Sequence, residues 1–268
     1  MGWTLGRMSA DGLLVPFSDA SKTVVARMTN ADYLHKSRIH PIAILAALLT
    51  YQQGHGQKGK LRWTPVPQVV DALNDAFYLA FDNVKPTGKR FYLGIDVSGS
   101  MTCGEVAGID GLTPNMGAAA MAMLIARTEP NHFIGGFSTS FVDLGVTSRD
   151  RLDAAMRKCQ RSYGGTDCTI AIAHALKNKY PVDAFVICSD GETWAGNTHN
   201  AQAIIDYRQK TGIDAKMIVI NMVANRTSLA DPTDLGSLDI IGFDAAVPTL
   251  ISGFLGADIE ASESQDAE

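Results

Sequence analysis

Phe91-Tyr92-Leu93-Gly94-Ile95-Asp96-Val97-Ser98-Gly99-Ser100 decides the reading of this chain. An apolar run predicts a buried strand, and it ends in Asp-x-Ser-x-Ser ahead of a helix-like pattern. One carboxylate and two hydroxyls therefore sit on the turn where a strand leaves its sheet. Oxygen-only donors of this kind suit a hard divalent cation such as magnesium. Two further pieces follow in order: Gly164-Gly165-Thr166-Asp167 and Cys188-Ser189-Asp190-Gly191-Glu192.

Outward from that stretch, the chain alternates apolar runs with helical patterns. Candidate strands are Phe91–Val97, Phe133–Phe137, Ala184–Cys188 and Met217–Met222, with weaker ones at Phe141–Val146 and Ile240–Phe243. Helical patterns fall at Asn115–Arg127, Arg149–Cys159, Thr169–Lys179 and Asn200–Lys210. Apolar strands separated by helices predict an α/β fold, a doubly wound, mostly parallel sheet covered on both faces. Phe133–Phe137 and Phe141–Val146 are close enough for a hairpin, which predicts one antiparallel edge strand. Residues 1 to about 82 read as helical instead. His40–Gln53 is apolar and stops at Gly54, and Pro65 and Pro67 open a further helix with Val69, Val70, Leu73, Phe77 and Leu79 at helical spacing. The expected division is a helical segment over 1–85, the α/β domain over 86–258 and an acidic, frayed tail over 259–268.

The 268 residues suffice for one large domain or a domain with an appendage. A hydrophobic fraction of 46% and a charged fraction of 19% describe an ordinary globular protein. A net charge of -5 gives no global reason to expect a nucleic-acid or membrane partner. Cys103, Cys159, Cys168 and Cys188 form no Cys-x-x-Cys pair, which argues against zinc. They read as reduced thiols of an intracellular, cytoplasmic protein. The first residues lack the pattern of a secretory signal, Gly6 does not suit a myristoylation motif, and no apolar run reaches the ~20 residues that span a bilayer.

In a doubly wound sheet, ligands bind beyond the carboxyl ends of the strands near the switch point. Asp96 and Asp190 each follow an apolar run and are expected there, with Ser98 and Ser100 on the turn after Asp96. Thr166 lies in a Gly-rich loop before a helical segment. Three loops can thus converge on one ion, hydroxyls binding directly and carboxylates directly or through water. Magnesium keeps exchangeable positions, so a carboxylate or phosphate oxygen from a partner can complete its shell. The alternative is that Asp96 and Asp190 cap helices while Ser98, Ser100 and Thr166 are turn residues. Asp167 and Glu192 read as helix N-terminal carboxylates.

These three pieces resemble the metal-ion-dependent adhesion site of a von Willebrand factor A (vWA) domain. The resemblance is closer to one family, the Ro autoantigen (TROVE-domain) family. It is carried by Arg38-Ile39-His40-Pro41, Thr50-Tyr51-Gln52-Gln53-Gly54-His55-Gly56 and Gly59-Lys60-Leu61-Arg62-Trp63. Ala76-Phe77-Tyr78, Pro86-Thr87-Gly88-Lys89-Arg90-Phe91, Gly164-Gly165-Thr166-Asp167-Cys168, Glu192-Thr193-Trp194-Ala195-Gly196 and Ala230-Asp231-Pro232 extend it. The resemblance implies a vWA domain closing a ring of HEAT-like helical repeats, a scaffold that binds small non-coding or misfolded RNA rather than an enzyme. It further implies that Asp96, Ser98, Ser100, Thr166 and Asp190 carry Mg2+ or another divalent cation. Only about 80 residues precede the vWA part here, far fewer than the family's ring requires.

Within those residues, Tyr33 to Val70 contains no Asp or Glu. Arg38, His40, His55, Lys58, Lys60 and Arg62 are the candidate RNA contacts; a solvated basic face is the alternative. Trp63 is expected to pack in the core rather than stack on a base. Trp3, Leu5, Leu13, Leu14 and Phe17 either fold back as a cap or leave a face for self-association or a helical protein partner. Three functions compete: a metal-dependent binding module of Ro type in an RNA-associated complex, a vWA protein-interaction module without RNA, and a metal-dependent phosphohydrolase. The last is disfavoured because Asp-x-Ser-x-Ser lacks the second Asp of an Asp-x-Asp pair and no nucleophile–base–orienter set is visible.

Overall fold

The computed structural model describes residues 2–56, 60–106, 109, 111–160, 165–191, 200–224 and 230–256, apart from the side chains of Trp3 and Asn200. Two compact units divide the chain. One comprises residues 1–85 with the short segment Ile109–Leu112; the other comprises 86–108 and 113–268. Lys58, Gly164, Glu192, His199 and the acidic tail lie outside the described residues.

The smaller unit is helical: α1 (Gly2–Ala10), α2 (Asp19–Met28), α3 (Ala31–Ser37), α4 (Pro41–Gln52) and α5 (Pro67–Leu79). Each start has a local cause. Ser18 and Asn30 accept backbone N–H groups at the heads of α2 and α3, and Pro41 and Pro67 stand in the first turns of α4 and α5. α4 is apolar nearly all round because it packs against both α1 and α5. Leu5 and Leu14 are buried, but Leu13, Val15 and Phe17 point to solvent. The expected fold-back of the first residues is therefore only partial.

The larger unit is a six-stranded sheet in the order β3-β2-β1-β4-β5-β6: β1 (Phe91–Asp96), β2 (His132–Phe137), β3 (Phe141–Asp143), β4 (Ala184–Ser189), β5 (Lys216–Asn221) and β6 (Ser237–Ile241). All neighbours pair in parallel except β2 with β3, the antiparallel edge hairpin anticipated from its spacing. Helices α6 (Pro114–Thr128), α7 (Leu152–Cys159), α8 (Thr169–Lys177), α9 (Asn200–Thr211) and α10 (Val247–Phe254) complete the unit. α8 and α9 cover the face carrying Tyr92, Phe137, Phe185, Ile187, Met217 and Val219. α6 packs on β1, β2 and β4 and takes no part in that cluster, so it covers the opposite face. Gly94 lets α8 approach β1, since a Cβ there would stand 2.8 Å from the Ala171 Cβ.

Several boundaries differ from the sequence reading. β3 stops at Asp143, where the carboxylate accepts the Gly145 N–H and turns the chain. α7 begins at Leu152 rather than Arg149 because the Asp150 carboxylate binds the Thr147 N–H and the Lys158 ammonium in a closed turn. α8 ends two residues early, with Lys179 in a left-handed conformation at φ 55°. α10 was not anticipated. No disulfide joins the four cysteines; Cys103 is exposed and the other three are buried.

Candidate metal centre

The order of strands reverses between β1 and β4, which run side by side although their helices wind in opposite directions. Asp96 is the last residue of β1, and Asp190 follows the last residue of β4. Both are buried. Burial, and to a lesser degree the Asp190 carboxylate, pushes Asp96 up to about 6 against the hydrogen bonds that pull it down. Two acidic side chains thus share the switch point, and burial penalises the charge on Asp96.

The turn after β1 brings its hydroxyls together. The Ser98 N–H donates to Asp96 Oδ1 at 2.9 Å, closing an Asx-type turn, and Ser98 Oγ lies 3.0 Å from Ser100 Oγ. An octahedron with metal–oxygen bonds of about 2.1 Å has edges of about 3 Å, so this spacing suits two adjacent ligands of a small divalent cation. Ser98 is buried and Ser100 partly exposed, which leaves an approach from solvent on the Ser100 side.

Thr166 is buried in the loop leading into α8. The loop is tied down on both sides: the Asp167 N–H donates to the Ser138 carbonyl just past β2, and Asp167 Oδ1 accepts the Thr169 N–H and hydroxyl. Asp167 thus closes an Asx-type turn just ahead of α8. Asp96 lies on the sheet face that α8 covers, since it shares alternation with Tyr92 and Gly94. Asp96, Ser98, Ser100, Thr166 and Asp190 all stand at the carboxyl edge of the sheet. Among the described residues no three His, Cys, Asp or Glu side chains cluster as a metal site.

Two buried polar residues at this edge went unread in the sequence. Ser189, the last residue of β4, donates its hydroxyl to Asp96 Oδ2 at 2.9 Å. Asn221, its partner across the β4–β5 ladder, is buried, and its Oδ1 finds no donor among the described residues. The available signal was a polar residue ending each of three buried apolar runs.

The candidate RNA contacts fall in two groups. Arg38, which follows α3, is exposed, as is the further cation Lys36 two positions before it, while Lys60 and Arg62 follow α4, with His55 paired to Arg62 by a single bridge. α4 lies between the groups, and its twelve residues span about 18 Å. His40 is occupied as the cap of α4, its Nδ1 accepting the Ile42 N–H at 3.2 Å. Trp63 is buried and has no face free for a base.

Residues 90–255 match the family model described as the Ro60 vWA domain. The chain is 48% identical over 257 residues to an RNA-binding protein RO60 of Deinococcus radiodurans, covering 95% of this chain and 48% of that protein. A Caenorhabditis elegans RNA-binding protein RO60 is 40% identical over 238 residues, covering 88% of this chain and 37% of its own length. The crystal structure of the Deinococcus radiodurans Ro (RSR) protein superposes with a TM-score of 0.89 at 47% identity, over 95% of this chain and 52% of that one. The chain spans about half the length, or less, of the relatives it matches.

Proposed function

This chain belongs to the Ro60 family, and from that premise we propose that it is a non-enzymatic, metal-dependent binding module acting with RNA. The observation that carries the metal half is the Ser98–Ser100 hydroxyl pair at 3.0 Å beside two buried carboxylates at the switch point. Asp96, Ser98, Ser100, Thr166 and Asp190 would hold Mg2+ or a similar divalent cation. When bound, the cation supplies a Lewis-acidic position that a carboxylate or phosphate oxygen can complete. The protein's part is positional. Asp96 draws the Ser98 backbone into the turn, and the Asp167 carboxylate fixes the loop that carries Thr166.

The RNA half is supported by relatives named as RNA-binding proteins and by exposed cations in the stretch Tyr33–Val70, which contains no Asp or Glu. A structured RNA should shift in a gel at low salt, with affinity falling steeply as salt rises, and Lys60→Glu with Arg62→Glu should weaken the shift. No shift at low salt would overturn this half. The competing reading is a vWA protein-interaction module without RNA contact. It is favoured by the separation of the basic groups across α4. Recovery of a protein but no RNA on the purified chain would select it.

A further inference from the structure

Ser189 occupies an unusual place in the carboxyl edge of the sheet. It is fully buried at the end of β4, one step past the Ile95–Cys188 pair of the β1–β4 ladder, and so stands beside Asp96 on the same sheet face. Its hydroxyl makes two bonds with opposite roles. It donates to Asp96 Oδ2 at 2.9 Å and accepts the Gly191 N–H at 3.2 Å. The first bond reaches the turn that carries Ser98 and Ser100. The second braces the turn that carries Asp190, since Gly191 follows it with φ at 81°. One hydroxyl thus ties together the two acidic turns on either side of the switch point.

The consequence for Asp96 is specific. Its Oδ1 is held by the Ser98 N–H and its Oδ2 by the Ser189 hydroxyl, so the plane of the carboxylate is set by one donor from the turn after β1 and one from β4. A carboxylate held at both oxygens cannot rotate to suit a ligand, and its remaining lone pairs keep a fixed direction. Alanine at 189 would free Oδ2 and leave the Gly191 N–H without its acceptor, loosening both turns at once.

We propose that Ser189 is a positioning residue of the metal centre, which orients Asp96 and couples it to the turn of Asp190. The proposal rests on the reading of Asp96 and Asp190 as the metal-bearing carboxylates. Partners that orient metal ligands are commonly worth about 10- to 100-fold in metal affinity.

The test is calorimetric titration of the full chain with MgCl2, comparing wild type, Asp96→Ala, Ser189→Ala and Ser189→Thr, with melting curves of each in EDTA. Ser189→Ala should weaken Mg2+ binding by about tenfold or more. Ser189→Thr, which keeps the hydroxyl, should restore affinity toward the wild-type value, even though both changes at this buried position lower the melting temperature in EDTA. A purely structural role would lower the melting temperature and leave the affinity of the folded protein unchanged. Unchanged affinity in Ser189→Ala, with binding abolished in Asp96→Ala, overturns the role of Ser189 while the metal reading stands. Absence of Mg2+ binding by wild type overturns both. If Ser189→Ala does not fold, Ser189→Cys, of similar size and with only a weak donor, carries the same comparison.

Discussion

The indole of Trp63 donates through Nε1 to the backbone carbonyl of Tyr51 at 2.9 Å, and its ring stacks on that of Tyr51 with centroids 6.3 Å apart. The Tyr51 hydroxyl in turn accepts the Val66 N–H at the head of α5. The stretch from Trp63 to Val66 that leads into α5 is thereby fastened to one residue of α4. Trp63→Ala should remove the indole donor and leave a cavity, destabilising the helical unit by roughly 3–5 kcal/mol in chemical denaturation. A loss below about 1 kcal/mol would mean that the ring is not a packing element.

Gly6 lies in the middle of α1, where helix propensity alone favours alanine by about 1 kcal/mol. A Cβ there would come within 2.6 Å of the Trp63 ring, which burial and the Tyr51 bond hold in place. Gly6→Ala should therefore destabilise, by about 1–3 kcal/mol from overpacking, against the propensity. The double change Gly6→Ala with Trp63→Leu should recover part of that loss. Equal effects of Gly6→Ala in the two backgrounds would refute the contact.

His40 gives the helical unit a pH dependence. Its Nδ1 accepts the Ile42 N–H, its Nε2 is buried without a partner among the described residues, and burial lowers its pKa to about 4. A proton on the ring would replace the acceptor with a donor at a helix N-terminus, where positive charge is unfavourable. The folded pKa lies below the unfolded value of about 6.5, so the unfolded chain takes up the proton first. The contribution of neutral His40 is complete above about pH 6.5 and declines as pH falls toward about 4. Asparagine caps without titrating near this range. Melts between pH 7.5 and 4.5 should show a smaller decline for His40→Asn than for wild type; parallel curves would exclude the effect.

These cases mark where the sequence was legible. Strands buried on both faces are continuous apolar runs, so β1, β2, β4 and β5 stood out, and Asp96 and Asp190 were placed by the ends of β1 and β4. The turn hydroxyls Ser98 and Ser100 followed from local spacing alone. The Ser189–Asp96 bond joins residues 93 positions apart, and no local pattern encodes it. The use of His40 as a cap was open to reading, because it stands directly before Pro41 at the start of an apolar run, yet its place in a basic stretch suggested a ligand contact. The transfer of Ile109–Leu112 to the helical unit is a tertiary event with no signal in periodicity.

Asp96 offers the most direct check of metal linkage. A ligand that binds only the folded state stabilises it by about 2.7 kcal/mol at a concentration 100 times its dissociation constant. Saturating Mg2+ should raise the melting temperature of wild type and leave Asp96→Asn, similar in shape but neutral, unmoved. In EDTA the two should melt within a few degrees, since the variant removes a buried carboxylate whose charge burial disfavours. An equal Mg2+ shift in both proteins would place the ion elsewhere.

The two basic groups at opposite ends of α4 make separable predictions for RNA. Reversing Lys60 and Arg62 to Glu changes one end, and reversing Lys36 and Arg38 changes the other, with α4, about 18 Å long, between them in the chain. Distant sites without shared partners act additively. If an RNA backbone runs along this face, each pair should lower the slope of log affinity against log salt by up to about two, one unit for each phosphate no longer neutralised. The fourfold variant should then show the sum of the two reductions. An effect confined to Lys60 and Arg62 would limit the RNA footprint to the end of α4 that leads into α5. Full affinity in the fourfold variant would remove the helical unit from RNA binding altogether.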